Sequence, residues 1–84
     1  MLKVLDKTSM FNSEEIESAL INKTLFEVYE ALEECGYNPV NQFTGYLLTG
    51  DLSYITNYKK SREKLKSIGK AKITSVLIEG YFLR

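Results

Sequence analysis

By type and spacing, three groups of side chains could do chemistry: the carboxylates Glu30, Glu33 and Glu34, the thiol of Cys35 directly after them, and the hydroxyl of Thr8 beside Asp6 and Lys7. The three carboxylates recur at helical spacing, where acids on a solvent face serve solvation, and the chain contains no histidine to act as a general base. One cysteine without histidine forms no metal-ligand cluster, and Cys35, with no base flanking it in sequence, reads as a buried helix-end residue instead of a reactive thiol. Gly36, Gly45 and Gly50 lie too far apart for a phosphate loop and lack the strand and the Lys-Ser/Thr that such a loop needs. The residues therefore predict no catalytic site, no metal and no cofactor. Thr8 lies in a short polar stretch and on context alone is either simply an exposed threonine, as most are, or a phosphoacceptor. A kinase requires an accessible, extended hydroxyl, and phosphorylation there would add roughly −1.5 to −2 units of charge, for which the basic segment Lys59 to Lys72 is a candidate receiver.

The elements that position these groups are organised around the stretch from Gly36 to Asp51. Gly36 suits the left-handed residue that ends a helix, Asn38 offers an N-cap oxygen, and Pro39 fits the first helical position. Gly50 closes the new helix. A short helix from Val40 to Thr49 is predicted, with Val40, Phe43 and Leu47 on one side and Tyr46 and Leu48 nearby. The stretch is a structural corner, and Tyr37, Tyr46 and Tyr54 fall inside it, at positions that suit an edge of a core better than a platform for nucleic-acid bases.

Before the corner, Ser13 followed by Glu14, Glu15 and Ile16 marks a helix start. One helix is expected from Glu14 to Cys35, its stripe formed by Ile16, Leu20, Leu25, Val28, Leu32 and Cys35, with Asn22-Lys23-Thr24 as the place where it could be interrupted. Ile21, Phe26 and Tyr29 widen the apolar surface, as core or as a dimer contact. After the corner, Asp51 caps a brief turn carrying Leu52, Tyr54 and Ile55. Asn57 is expected to cap a basic helix from Tyr58 to Ile68 with Tyr58, Arg62, Leu65 and Ile68 inward, ended by Gly69. From Ala71 to Leu83 the apolar positions Ile73, Val76, Leu77, Gly80 and Tyr81 share a helical face, although Ile73 to Ile78 is rich in β-branched residues.

The run from Val28-Tyr29-Glu30-Ala31-Leu32 through Gly36-Tyr37-Asn38-Pro39-Val40-Asn41-Gln42-Phe43-Thr44-Gly45-Tyr46-Leu47-Leu48-Thr49-Gly50-Asp51 to Ser53-Tyr54-Ile55 resembles the IreB family of small bacterial regulatory phosphoproteins. The likeness covers Thr24 to Ile55, extends towards the C-terminus, and returns at Asp6-Lys7-Thr8. It implies that Thr8, followed by an aromatic at Phe11, stands where the family carries its phosphothreonine. It also makes Gly36, Tyr37, Asn38, Pro39, Asn41, Gln42, Gly45, Tyr46, Gly50 and Asp51 the family-motif corner. By the same resemblance the chain is a substrate of a membrane-linked Ser/Thr kinase, and it acts through an unidentified protein partner in peptidoglycan control and tolerance of cell-wall antibiotics. Departures are specific: Leu5 stands where some relatives have a further threonine, Leu52 and Thr56 where most have prolines, and the last helix carries fewer acids.

Eighty-four residues make one small domain. Such a chain buries only about 60% of the surface that its unfolded form exposes, and without a disulfide the common remedy is oligomerisation. The expected architecture is an all-α, compact bundle of about four to five short helices, homodimeric, with residues 1–12 as a mobile arm and 13–84 as a single helical domain. No leader or membrane-spanning run is visible, which predicts a cytoplasmic protein without membrane insertion. Net charge is zero but uneven: Met1 to Gly50 holds three lysines against eight acids, and Asp51 to Lys72 holds seven bases against two acids. The simpler expectation is that acidic and basic helices face each other or solvent. The alternative is a small helical nucleic-acid-binding module that uses the basic segment from Lys59 to Lys72.

Overall fold

Asn12, not Ser13, starts the first helix. In the computed structural model, which describes residues 12–83, the Asn12 side chain accepts the Glu15 backbone N–H at 2.8 Å while the Glu15 carboxylate accepts the Asn12 N–H at 3.1 Å. This reciprocal capping box satisfies two donors that a helix start otherwise leaves unpaired. Helix α1 then runs without interruption over Ser13–Glu34. It is followed by α2 (Pro39–Thr49), a 3₁₀ turn (Leu52–Tyr54), a second tight turn (Tyr58–Lys60), α3 (Ser61–Ile68) and α4 (Lys70–Phe82). Four α-helices and two single turns, with no strand among the described residues, make the all-α bundle that the periodicity predicts. The expected arm lies outside the described residues, except for Asn12.

The inward stripe of α1 is Ile21, Leu25, Val28 and Leu32, and its first half differs from the expected one: Ile16 and Leu20 are exposed. A helix turns about 100° per residue, so Leu20 stands about 140° from Leu25 whereas Ile21 stands only about 40° from it. Ile21 is thus core and not a surface contact. Cys35 is exposed too, because it is the first residue to leave the helix, with its Sγ 3.6 Å from the Thr56 hydroxyl. Tyr46 of α2, Ile55, Leu65 of α3, and Ile73 and Val76 of α4 complete the core, with Phe43, Leu47, Leu52 and Ile68 packed at its edge.

Between Ile55 and α3 the chain departs from the predicted single basic helix. Asn57 makes no side-chain cap; the Thr56 hydroxyl accepts the Tyr58 N–H at 3.1 Å instead. Lys59 and Lys60 then take left-handed dihedrals, with φ of 55° and 60°, so Tyr58 is not in phase with α3. The inward positions become Ser61 and Leu65, both fully buried, while Tyr58 and Arg62 are exposed. The Ser61 hydroxyl donates to the Tyr58 carbonyl at 2.7 Å, which removes the cost of burying it. Helix α4 confirms the helical reading of the β-branched run, but only Ile73 and Val76 of its predicted face are buried. Leu77, Gly80 and Tyr81 lie towards its exposed end.

Candidate functional site

The corner forms as its residue types dictate. At the end of α1, Gly36 takes φ +85° and donates to the Glu33 carbonyl at 2.9 Å, while Tyr37, itself exposed, donates to the Leu32 carbonyl at 3.0 Å. These two bonds are the Schellman pairing that closes a helix. Asn38 immediately opens α2: its side chain accepts the Asn41 N–H at 3.0 Å and its carbonyl the Gln42 N–H at 3.1 Å, with Pro39 buried at the first helical position. Gly50 ends α2 at φ +76°, donating to the carbonyl of the buried Tyr46 at 2.7 Å. The carboxylate of Asp51 accepts the Ser53 N–H at 2.9 Å, which starts the next turn and holds this acid below its usual range.

Two further motif residues tie that turn back onto α2, and sequence reading gave no hint of their partner. Gln42 donates its side-chain amide to the Tyr54 carbonyl at 2.8 Å, and the Tyr54 ring lies so close over Gly45 that a Cβ there would overlap it. The pairing joins positions on separate elements, so no periodic signal announces it. Thr49 adds a brace, its hydroxyl donating to the Gly45 carbonyl at 2.7 Å and accepting the Asp51 N–H at 3.0 Å. Ile55 follows, fully buried, and its carbonyl accepts the Arg62 Nε–H at 2.7 Å. The motif therefore fixes the angle between α1, α2 and the start of α3.

What this angle creates is an apolar groove of about 330 Å³ between α1, α2 and α4. Phe26 and Tyr29 form one wall, Val40, Phe43 and Leu47 another, and Leu77 closes the α4 side. Val40, Phe43 and Leu47 do share a side, as predicted, but that side faces the groove. Phe26 is 68% exposed and Val40 62%, whereas Leu25 at the floor is buried.

The opposite flank of α1 is closed by charge. Lys64 of α3 meets Glu27 at 3.3 Å, Lys59 meets Glu34 at 3.3 Å, and Lys72 of α4 donates to Glu17 at 2.6 Å. The hydrogen bond from Lys64, joined by that from Lys23, lowers the pKa of Glu27 below its ordinary 4.5, and the hydrogen bond to Glu34 raises that of Lys59 above 10.5. Acidic and basic helices do face each other within one chain. Three of the seven bases that a polyanion would need are already paired with α1.

A family model described as IreB regulatory phosphoprotein matches residues 6–83. The chain belongs to the IreB family. The match takes in the whole of the corner, the groove walls and Thr8, although Thr8 lies outside the described residues and its placement is not part of the geometry above. Among the described residues no helix is long and apolar enough to cross a membrane.

Proposed function

We propose that this chain is a non-enzymatic regulator whose Thr8 is phosphorylated by a bacterial Ser/Thr kinase, and that it modulates peptidoglycan synthesis and tolerance of cell-wall antibiotics through protein contacts in the cytoplasm. The observation that carries the reading is the match to a family of regulatory phosphoproteins over residues 6–83, a span that includes Thr8. In the transfer, the γ-phosphoryl of a nucleoside triphosphate bonds to the Thr8 hydroxyl oxygen, the hydroxyl proton leaves, and the nucleoside diphosphate departs. The product is an arm of reversed charge. The exposed end of α4, Ile78, Phe82 and Leu83, supports a homodimer, since such a cluster of apolar side chains is poorly placed in water.

The test is intact mass and site mapping of the native protein from its own cells, with and without a cell-wall antibiotic. Phosphate on Thr8 that changes with treatment is the expected result; an unmodified Thr8 under both conditions overturns the regulatory reading. For the dimer, Phe82→Glu should give folded monomers in sedimentation, and an unchanged mass in solution places the contact elsewhere.

A further inference from the structure

We propose that the α1/α2/α4 groove is the docking site for a basic amphipathic helix of another protein, one with apolar side chains at i, i+3 or i+4 and i+7 and lysines or arginines at its flanks. The proposal deepens the reading of the chain as a regulator that works through protein contacts, and it rests on that part of the reading alone. Thr8 does not enter.

A helix, and not an extended strand, follows from what lines the groove. Its walls are helical side chains, Phe26 and Tyr29 against Val40, Phe43 and Leu47, and besides the Tyr29 hydroxyl the polar groups are those of Asn22 and Thr44. An extended peptide brings backbone N–H and C=O groups that find no partners on such walls, and each one left unpaired costs more than a hydrogen bond returns. A helix pairs its backbone internally and offers only its apolar face. From Asn22 to Glu33 the α1 wall runs eleven residues, about 16 Å at a rise of roughly 1.5 Å per residue, which about three turns of an occupant span.

Charge decides the sign of the occupant. Helix α2 carries no charged side chain, so the long edges of the groove take their charge from α1. Glu33 continues the stripe of Phe26 and Tyr29, at i+7 and i+4, and Glu30 stands at i+4 from Phe26; both are exposed. Neither makes an ion pair among the described residues, and Lys59, which feels Glu30 at longer range, is committed to Glu34. Beyond Asn22, at the other end, the surface runs into a trough lined by Glu14, Glu15 and Glu79. Lys70 reaches over Gly50, past the end of α2. Carboxylates thus stand at both ends of an apolar groove.

The opposite flank of α1 shows what covers such a surface. There the cover is the basic helix α3, with Leu65 in the core beside Val28 and Leu32 and with Lys64 on Glu27. The groove flank has the same two ingredients, apolar side chains and carboxylates, without the cover. A second copy does not offer one. Its Leu65 is already buried, and the exposed apolar end of α4 brings one acid, Glu79, and one base, Arg84, so it is neutral where the groove calls for positive charge.

The experiment selects binders to the full chain from a displayed library of α-helical peptides of about four turns, randomised on one face and its two edges, and maps a selected peptide on ¹⁵N-labelled protein. The selected peptides should carry apolar residues at helical spacing with Lys or Arg beside them. They should shift the amides of Phe26, Tyr29, Phe43 and Leu47 and leave that of Leu65 in place. Phe26→Glu, at a mostly exposed position, should weaken a selected peptide by about tenfold or more. Glu30→Lys with Glu33→Lys should turn a repeated selection towards acidic peptides, a result that loss of folding does not give. No binders, binders without positive charge, basic binders without an apolar face, or binders that keep their affinity for Phe26→Glu each overturn the proposal and leave the mass-mapping result for Thr8 standing. Groove amides that shift with protein concentration in the absence of peptide overturn it in favour of a second copy.

Discussion

The two flanks of α1 are finished in different ways. Towards α3 the helix buries Val28 and Leu32 against Leu65 and lays Glu27 and Glu34 on lysines, so that face is complete within one chain. Towards α2 and α4 it leaves Phe26 and Tyr29 along an open groove, although the corner that builds this groove is the most tightly specified stretch in the sequence. Specification and closure are thus separate matters. The motif residues hold a shape, and the shape is an unfilled one.

The contrast breaks first at the core. Leu65→Ala on the closed flank should cost about 2–5 kcal/mol, read as an earlier urea midpoint, whereas Phe26→Ala on the open flank should stay within about 0.5 kcal/mol. Comparable losses at the two positions would mean that the groove is already filled. Next comes the corner. Gly45→Ala drives a methyl into the Tyr54 ring and should destabilise by about 1–3 kcal/mol, and adding Tyr54→Leu should recover part of that loss in a double-mutant cycle. Strict additivity would show that ring and glycine do not meet.

The smallest effect belongs to the charges. Because Glu27 and Asp51 ionise more readily in the folded chain, their contribution is complete above their ordinary values of 4.5 and 3.8 and is lost as pH falls through the lowered folded values. Lys59, held protonated by Glu34, contributes below 10.5 and is lost as pH rises through its raised value. Stability measured against pH should therefore fall at both ends, and Glu27→Gln should flatten only the acid limb. These groups are exposed, so the change is small and is screened by salt.

Where a residue's own chemistry decides its conformation, the sequence was enough: Gly36, Asn38, Pro39, Gly50 and Asp51 sit at the stops and starts that their side chains favour. The helical character of Ile73 to Ile78 followed from face periodicity in spite of local β preference. Failures came where phase or distant partners decide. Asn12 outcompeted Ser13 as the cap because the reciprocal bond with Glu15 requires that spacing. Ile16 and Leu20 were misplaced by taking one heptad-like stripe through the whole helix. Asn57 and Tyr58 were assigned to α3 because left-handed lysines leave no mark in the residue type, and Tyr54 over Gly45 is a contact between elements that no local rule contains.

Those left-handed lysines set the order in which the bundle loosens. Lys59 and Lys60 occupy backbone angles that ordinary side chains enter only at a cost, in a single turn between two elements whose other ends are well anchored. Exposure of amides to solvent exchange will begin there and spread into the first turn of α3, while the interior of α1 exchanges last. Because Lys59 also holds Glu34 at the end of α1, this early opening releases that one ion pair while Lys64 on Glu27 and Lys72 on Glu17 still join the basic flank to α1.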